Sequence, residues 1–379
     1  MTSDEQTDTL SQKEDQTKVN QMSKTPSCCS PNKEHAGHGK SGFSFDIILH
    51  GSSLVILAAL ALHFFGQFTG TDIPYATPFA HGVLDLLSKM WWGVVLGLIF
   101  VGLMTKVPRE YFRAALGRGD TIGGIFRAAL AGLLLDLCSH GILMIGAKLY
   151  ERGASLAQVM TFLIASPWNS FSMTLILFAL VGVKWTLIFI VFSAVIAIFT
   201  GFVYLALTKR GVFAENPNKV EKIESFSMKE DAKKRLKNFR PNKEFFKDVF
   251  FGGWHEAKML IRWLLLGVVI AAAIRTFISP EMFTEWFGPT VIGLLLTLVA
   301  TTIIEVCSEG SSPIAAELLN RAGAPGNAFT FLMAGVATDY TEMLIIREFT
   351  KKWAVALSLP LITVPQVLLL GYIMNVMGG

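Results

Sequence analysis

Charged residues are scarce in this chain of 379 residues: Asp, Glu, Lys and Arg make up 16% of it, against about 25% in ordinary soluble domains. Cysteine is also rare, and four cysteines cannot build a secreted, disulfide-stabilised scaffold. No apolar run opens the sequence, so we expect no signal peptide. Hydrophobic residues make up 52% of the chain and the mean hydropathy is +0.50. This composition excludes a disordered chain and predicts an all-α polytopic membrane protein.

Motifs of nucleotide-dependent and metal-dependent enzymes are missing as well. The sequence contains no GxxxxGK[ST] phosphate loop, no GxGxxG and no HExxH. Ser139 and Ser308 have no nearby His-Asp set that would indicate nucleophilic catalysis. We therefore expect neither an ATPase nor another enzyme, and no cofactor. The net charge of +4 needs no nucleic-acid partner, because membrane proteins concentrate Lys and Arg in cytoplasmic loops.

Two polar stretches interrupt the apolar sequence. Residues 1–43 predict a disordered cytoplasmic tail. Residues 209–250, with twelve Lys or Arg against seven Asp or Glu, predict a basic cytoplasmic loop between two membrane halves. Two thiols and two imidazoles lie close together in the tail: Cys28, Cys29, His35 and His38. They suit soft metals but match no standard zinc spacing, so a metal-binding tail and an inert tail both remain open.

Apolar segments long enough to cross a bilayer, which takes about 20 residues, recur along the chain. The uninterrupted segments are 44–66, 83–105, 184–207, 256–278 and 353–376. Two longer blocks, 122–182 and 290–346, are broken by polar residues and glycine. The breaks are Cys138-Ser139-His140-Gly141, Ser166-Pro167-Trp168-Asn169-Ser170, Cys307-Ser308-Glu309-Gly310 and Gly335-Val336-Ala337-Thr338-Asp339.

The two broken blocks repeat each other. A shift of 169 residues, with no gap, aligns 136–165 with 305–334 and superimposes the two Cys-Ser-x-Gly sequences. Cysteines and acids are rare in membrane segments, which makes their recurrence at equivalent positions informative. We therefore predict two membrane repeats, 83–208 and 251–379, preceded by an extra transmembrane helix at 44–66.

The distribution of charge predicts how the repeats are oriented. If 122–152 and 290–320 are re-entrant hairpins, the stretches that contain most of the Lys and Arg, 1–43, 106–118 and 209–250, all fall on one side. This arrangement obeys the positive-inside rule and inverts one repeat relative to the other, with the breaks meeting near the midplane. We predict a multi-pass protein of the bacterial inner membrane with a cytoplasmic N-terminus. The outer side keeps only Lys89, Lys184, Arg275 and Arg321.

The breaks contain side chains with transport chemistry. Thiolates are ligands for soft species such as trivalent arsenic, antimony, copper(I) or mercury, and ionisable groups inside a membrane mark ion or proton routes. The predicted substrate-binding residues are Cys138, Ser139, His140, Gly141, Asn169, Cys307, Ser308, Gly310 and Thr338. The predicted proton- or ion-coupling residues are Asp136, Glu305, Glu309, Asp339 and Glu342. Arg152 and Arg321 would lock turns or meet anionic cargo, and plain packing or interfacial roles stay open for all of these residues.

Each Cys-Ser-x-Gly motif is followed by a short helix, an Arg-Gly-Ala or Arg-Ala-Gly-Ala turn and a Thr-Phe-Leu segment. This order resembles the predicted permease family that includes the trivalent organoarsenical efflux permeases, over roughly residues 45–376. The family pattern resembles Cys-Ser-Cys-Gly with a Pro soon after; here His140 takes the middle position in the first repeat, and Pro313 follows the second motif. The resemblance implies export of trivalent methylated or aromatic arsenicals, with Cys138 and Cys307 contacting the cargo.

Three functions remain open from the sequence. The leading hypothesis is a secondary transporter in the lipid bilayer that exports a soft, thiol-reactive metalloid or metal species by proton exchange. The second is a permease for a small sulfur-containing or organic anion, held by half-helix N-termini. The third is a membrane thiol oxidoreductase in which Cys138 and Cys307 pair, which requires Cα atoms less than about 7 Å apart. A homo-oligomer is compatible with each hypothesis.

Overall fold

All regular structure in the described part of the chain is α-helical. The computed structural model describes residues 47–70, 73–104, 121–134, 139–151, 153–165, 171–218, 261–304 and 308–378. The first half contains α1 (Ile47–Thr69), α2 (Ala76–Met104), α3 (Ile122–Leu134), α4 (Ser139–Glu151), α5 (Leu156–Ala165), α6 (Phe171–Leu180) and α7 (Val183–Lys209). The second half contains α8 (Ile261–Phe277), α9 (Pro280–Phe287), α10 (Val291–Ile304), α11 (Ser308–Asn320), α12 (Pro325–Thr338), α13 (Tyr340–Thr350) and α14 (Trp353–Gly378).

Four described segments are long and apolar enough to cross a bilayer: α1, α7, α14 and the α12–α13 segment. A fifth span results if α8 and α9, which meet at 112°, count as one broken helix. The apolar helices α3, α5, α6 and α10 have only 10 to 14 residues. A helix of that length is too short to cross a hydrocarbon core of about 30 Å by itself. The prediction of an all-α polytopic membrane protein is confirmed.

Matching helices pack in the same way in the two halves. In the first half α3 and α4 pack on α5, and α5 packs on α7; in the second, α10 and α11 pack on α12, and α12 packs on α14. Contacts between the halves are reciprocal, because α4 packs on α13 and α11 packs on α6. Reciprocal contacts of this kind are what a two-fold relation requires. The repeat in the sequence is therefore also a repeat in the structure.

Two buried glycines show the repeat in atomic detail. Gly201 on α7 lies so close to α5 that a Cβ there would meet Thr161 Oγ1. Gly371 on α14 lies equally close to α12, and a Cβ there would be 2.5 Å from Thr330 Oγ1. Thr161 and Thr330 are related by the 169-residue shift. In both halves a glycine on the long helix lets two backbones approach, as small residues commonly do between membrane helices.

The chain folds back between α3 and α4. A Cβ at Gly132 on α3 would lie 2.8 Å from the Phe162 carbonyl oxygen, and a Cβ at Gly146 on α4 would lie 2.9 Å from Leu163 Cδ2. Phe162 and Leu163 are neighbours on α5. In one continuous helix Gly132 and Gly146 would be about 21 Å apart. The two helices therefore lie side by side on α5, as the predicted hairpin requires.

The contact of α3 with α5 at Gly132 has a counterpart in the second half, between α10 and α12. Thr301 on α10 occupies the Gly132 position and donates a hydrogen bond to the Phe331 carbonyl oxygen at 2.8 Å. Phe331 is the counterpart of Phe162 under the same shift. The hairpin arm and its neighbour thus meet at equivalent backbone atoms in both halves.

The arms α4 and α11 end at opposite ends of α7. Beyond the last turn of α7, Asn216 Nδ2 donates to the carbonyl oxygens of Tyr150 (2.5 Å) and Ala154 (2.8 Å), which close α4; this is the Asn216 end. Before the first turn of α7, Asn320 Nδ2 donates to the Leu180 carbonyl oxygen (3.1 Å); this is the Asn320 end. The 27 residues of α7 separate these ends by about 40 Å. The two repeats are therefore inverted relative to each other.

Candidate functional site

Four helix breaks lie near the middle of the fold. The arms α4 and α11 have 13 residues each, so each reaches about 20 Å inward, half the length of α7. The α5–α6 segment runs from the Asn216 end to the Asn320 end, and α12–α13 runs the opposite way. Their breaks, between Ala165 and Phe171 and at Asp339, fall at the same depth. The first residues of α4 and α11 therefore lie at the level where the other two segments are interrupted.

A new helix starts at each of these breaks: α4, α6, α11 and α13. The first turn of a helix carries unpaired N–H groups and a partial positive charge. Within a membrane such ends must be buried in protein or line a cavity. Four inward-facing N-termini make the centre of this fold suited to a polar or anionic group, as in transporters with broken helices.

The break between α12 and α13 is held by its own side chains. Asp339 caps α13, since its Oδ1 accepts hydrogen bonds from the Thr341 backbone nitrogen (2.7 Å) and Thr341 Oγ1 (2.8 Å). Thr338 Oγ1 donates to the Ala334 carbonyl oxygen at 2.7 Å and lies 3.1 Å from Thr302 Oγ1 on α10. Thr338 and Asp339, predicted as substrate and coupling residues, therefore stand in the break and shape it.

Glu342, one turn after the cap, is a buried carboxylic acid with 4% of its surface exposed. Among the described residues no side chain or backbone group hydrogen-bonds or ion-pairs with its carboxyl. Its counterpart in the first half is Met173, which accepts a hydrogen bond from Ser312 Oγ on α11 at 3.3 Å. The helix that carries Glu342, α13, packs on α4. A carboxyl group at such a position is costly inside a membrane and usually functional.

Several predicted residues can be located only in part. Ser139, His140 and Gly141 lie in the first turn of α4, and Ser308 and Glu309 lie in the first turn of α11. Gly310 touches α8, where a Cβ at Gly267 would meet its carbonyl oxygen. The remaining predicted positions lie outside the described residues: Cys28, Cys29, His35, His38, Asp136, Cys138, Arg152, Asn169, Glu305 and Cys307. In the described part of the chain no three His, Cys, Asp or Glu residues form a group that could hold a metal ion.

A network of charged side chains at the Asn320 end was not predicted from the sequence. Arg275 on α8 donates from Nε to Glu317 Oε1 and from Nη1 to Asp85 Oδ2, each at 2.7 Å. Lys89 Nζ lies 2.9 Å from the same Asp85 oxygen, and Arg321 Nη1 lies 3.9 Å from Glu317 Oε2. Part of the network could have been predicted from sequence spacing. Asp85 and Lys89 are four residues apart, as are Glu317 and Arg321, and this spacing favours ion pairs on a helix. Nothing in the sequence indicates that Arg275 joins the two pairs.

Residues 79–376, most of the chain, match a family described as predicted permeases. The chain belongs to the predicted permease family. The resemblance seen in the sequence is thereby confirmed, and the permease is a multi-pass membrane protein with a transport function. Comparisons with curated proteins and with solved structures find no match.

Helix α1 lies outside the residues that match the family. It packs on α2, where the His63 ring meets the His81 ring edge-on at a centroid distance of 4.6 Å. The rest of the permease, α2 to α14, contains both repeats and all four breaks. The candidate site therefore belongs to the part of the chain that defines the family.

Proposed function

We propose that this permease exports a soft, thiol-reactive metalloid or metal species, such as a trivalent organoarsenical, in exchange for protons. The observation that carries the proposal is the position of the two Cys-Ser-x-Gly sequences. Ser139 and Ser308 begin α4 and α11, the arms that reach the middle of the fold from opposite ends. Cys138 and Cys307 directly precede them in the chain. Thiolates are the ligands that trivalent arsenic and other soft species prefer.

Proton exchange follows from the chemistry of a thiol site. A thiol must lose its proton to bind a soft cation, and it takes a proton up again when the cargo leaves. A carboxyl group at the same depth can hold that proton in transit. Glu342, buried one turn from the break at Asp339, supports this role, and Asp136, Glu305 and Glu309 belong to the same proposal through their places in the sequence.

A small sulfur-containing or organic anion is the second candidate cargo. The observation that favours it is the set of helix N-termini at the central breaks. Asp339 already caps α13, and the partial positive charges at the starts of α4, α6 and α11 stabilise an anion. In that case the serines and backbone N–H groups of the Cys-Ser-x-Gly turns would bind the cargo. The thiols would then be dispensable.

The charge of the two ends supports an inner-membrane location with the N-terminus in the cytoplasm. Exposed cations are concentrated at the Asn216 end: Lys148, Lys209, Arg210, Arg347, Lys351 and Lys352. The positive-inside rule assigns that end to the cytoplasm. The tail with Cys28 and Cys29 would then lie on the side from which cargo is collected, and we propose that it binds the cargo before transport.

The experiment that tests the proposal is uptake by inside-out vesicles from cells that express the chain. Trivalent methylarsenite, inorganic arsenite and antimonite are offered with and without a pH gradient. The Cys138→Ser/Cys307→Ser variant, expressed to the same level, is the matched control. Accumulation that requires both cysteines and the gradient supports thiol ligation and proton exchange.

Two other results would redirect the proposal. Uptake that continues in the cysteine variant would contradict thiol ligation. Uptake of none of the three species, together with uptake of an organic or sulfur-containing anion, would favour the second candidate cargo. Neither result affects the membership of the permease family.

A further inference from the structure

The charged network at the Asn320 end joins three separate parts of the permease through one guanidinium group. Arg275 on α8 binds Glu317 on the arm α11 and Asp85 on α2, with both distances at 2.7 Å. Asp85 in turn pairs with Lys89 at 2.9 Å. These contacts connect the second hairpin to α2 and α8, although the partners of Arg275 are 42 and 190 residues away in sequence.

Glu317 is the most deeply buried member of the network. Its side chain has no exposed surface, whereas the side chains of Arg275 and Asp85 are 22% and 37% exposed. Glu317 Oε2 and Arg321 Nη1 are both buried, and neither has a hydrogen-bond partner within the described residues. A buried charge is tolerated only when it is well paired. The carboxylate of Glu317 therefore depends chiefly on Arg275, and the arm α11 is held where that pair can form.

Among the described residues, the other end of the permease has no such pair. The 169-residue shift places Lys148 on α4 at the position of Glu317 on α11. Lys148 is exposed and makes no ion pair with any described residue. The helix packing of the two arms is shared, but the charge pair is one-sided. A contact needed only to build the repeated fold would be expected in both halves. Within the described residues the pair occurs on one arm, which indicates a role in the difference between the two ends.

The inner end of the same arm has a different kind of contact with α8. A Cβ at Gly267 would meet the carbonyl oxygen of Gly310, so the two backbones touch without side chains between them. From this contact α8 and α11 run in the same direction to the Arg275–Glu317 pair, about 11 Å further on. Close backbone contact through glycine is a common way for membrane helices to pack, and it involves no charged side chain. The Arg275–Glu317 ion pair adds a charged side-chain link between α11 and α8.

We propose that Arg275 and Glu317 form a latch that holds α11 against α8 and α2, and that the latch must open for cargo to leave or enter at the Asn320 end. The inference rests on transport, which the family establishes, and not on the identity of the cargo. Asp85 is a positioning residue that orients the guanidinium from the opposite side. Arg321 holds the turn after α11 by donating from Nη2 to the Ile278 carbonyl oxygen at 2.9 Å.

The test measures how accessible the buried face of α11 is from each side of the membrane. Ser312 on α11 has no exposed surface, and a Ser312→Cys variant provides a thiol there once the four native cysteines are replaced by serine. A membrane-impermeant maleimide is applied to right-side-out and to inside-out vesicles. Lys148→Cys in the same background marks the side of the Asn216 end. No cargo is needed, so failure of the arsenical proposal and failure of the latch are distinguishable.

The expected result is slow labelling of Ser312→Cys when Glu317 is present. Labelling becomes several-fold faster in Ser312→Cys/Glu317→Gln, and only from the side opposite to the Lys148→Cys label. The matched control is Glu348→Gln, which removes the exposed ion pair between Glu348 on α13 and Lys351 just after it and should leave the labelling rate unchanged. Equal labelling with and without Glu317, or faster labelling from both sides, overturns the latch.

A second set of variants tests the proposal if Glu317→Gln does not fold. Asp85→Asn removes the partly exposed carboxylate and should raise the labelling rate in the same direction, by less than Glu317→Gln. Arg275→Glu/Glu317→Arg reverses the pair and should return labelling to the slow rate. No increase with Asp85→Asn, or fast labelling in the reversed pair, contradicts the proposal.

Discussion

The two ends of this permease have the same helices in opposite directions, but the side chains on their hairpin arms differ. At the Asn320 end the arm α11 has Glu317 fully buried against Arg275. At the Asn216 end the equivalent residue of α4 is the exposed Lys148. In contrast, the contacts of Gly201 with Thr161 and of Gly371 with Thr330 are nearly the same in both halves. Positions that the repeats share build the fold, and positions where they differ distinguish one side of the membrane from the other.

The helix breaks in the middle of the fold also combine positions that the repeats share with positions where they differ. Both halves have a hairpin arm that begins with Ser in a Cys-Ser-x-Gly sequence, and both have a second break nearby. In the second half Glu342 follows that break, whereas the first half has Met173 at the equivalent position. Under the proposed function, the shared thiols would bind cargo from two directions, and the one-sided acid would couple its movement to protons from one.

The largest effect is expected from the shared thiols. Cys138→Ser and Cys307→Ser should each abolish uptake of trivalent methylarsenite into inside-out vesicles, because a serine oxygen is a poor ligand for a soft ion. The amount of protein in the membrane, measured by blotting, should not change. The comparison variant is Cys28→Ser/Cys29→Ser: because the tail is not part of either repeat, its loss should reduce uptake less than the loss of either repeat cysteine. Full activity in one of the single variants would break the equivalence of the two arms.

A smaller effect is expected from the one-sided acid. Glu342→Gln keeps the size of the side chain but cannot exchange a proton, so the part of the uptake that depends on the pH gradient should disappear. Uptake without a gradient should continue at its basal rate. The measurement is the ratio of uptake with and without the gradient. Met173→Gln is the matched change at the equivalent position and should not alter that ratio; a similar loss in both variants would show that the acid has no special role.

The shared glycines are expected to affect stability rather than transport chemistry. Gly201→Ala and Gly371→Ala should each lower the free energy of unfolding by about 1–3 kcal/mol, because the new methyl group overlaps a threonine on the neighbouring helix. Gly123→Ala, at an exposed site on α3 with no neighbour within 4 Å, should be neutral or stabilise by up to about 1 kcal/mol. Thermal unfolding in detergent measures all three. A loss of stability in only one of Gly201→Ala and Gly371→Ala would contradict the shared role of the two glycines.

The smallest effect is expected at the interface between the long helices of the two halves. Tyr204 on α7 donates to Ser358 Oγ on α14 at 2.7 Å, and Ser358 itself donates to the Val355 carbonyl oxygen. Tyr204→Phe should therefore cost about 1 kcal/mol of unfolding free energy, the usual net value of one hydrogen bond. Tyr372→Phe, at a half-exposed site, is the control and should have no measurable effect. An equal loss of stability in the two variants would argue against the Tyr204 bond as a link between the halves.

Much of the helix order could be predicted from the sequence alone. The predicted segments 184–207 and 353–376 correspond to α7 and α14 within two residues at each boundary. The predicted breaks also coincide with helix ends, such as the end of α12 at Thr338. Hydropathy and helix-breaking residues are local properties, and they act over the few residues that determine where a membrane helix starts and stops.

The site could be predicted only in part. The Cys-Ser-x-Gly repeat predicted which turns bind cargo, and this stays a prediction. The inversion that the charge distribution predicted is seen in the packing of the described helices. Burial of Glu342 beyond 90% and the capping role of Asp339 depend on how α13 packs against its neighbours. An acid in an apolar segment can face lipid headgroups, a partner or a cavity, and periodicity does not distinguish these cases.

By itself the sequence determined the membrane class, the repeat and its period, the breaks and the motifs that resemble the permease family. These are encoded by composition and by spacing along the chain. Only the tertiary structure decided that the chain folds back between α3 and α4, that Arg275 joins Asp85 and Glu317, and that Lys148 stays unpaired among the described residues. Such pairings link residues far apart in sequence, and they depend on burial and on the distance between atoms, which no local pattern of residues contains.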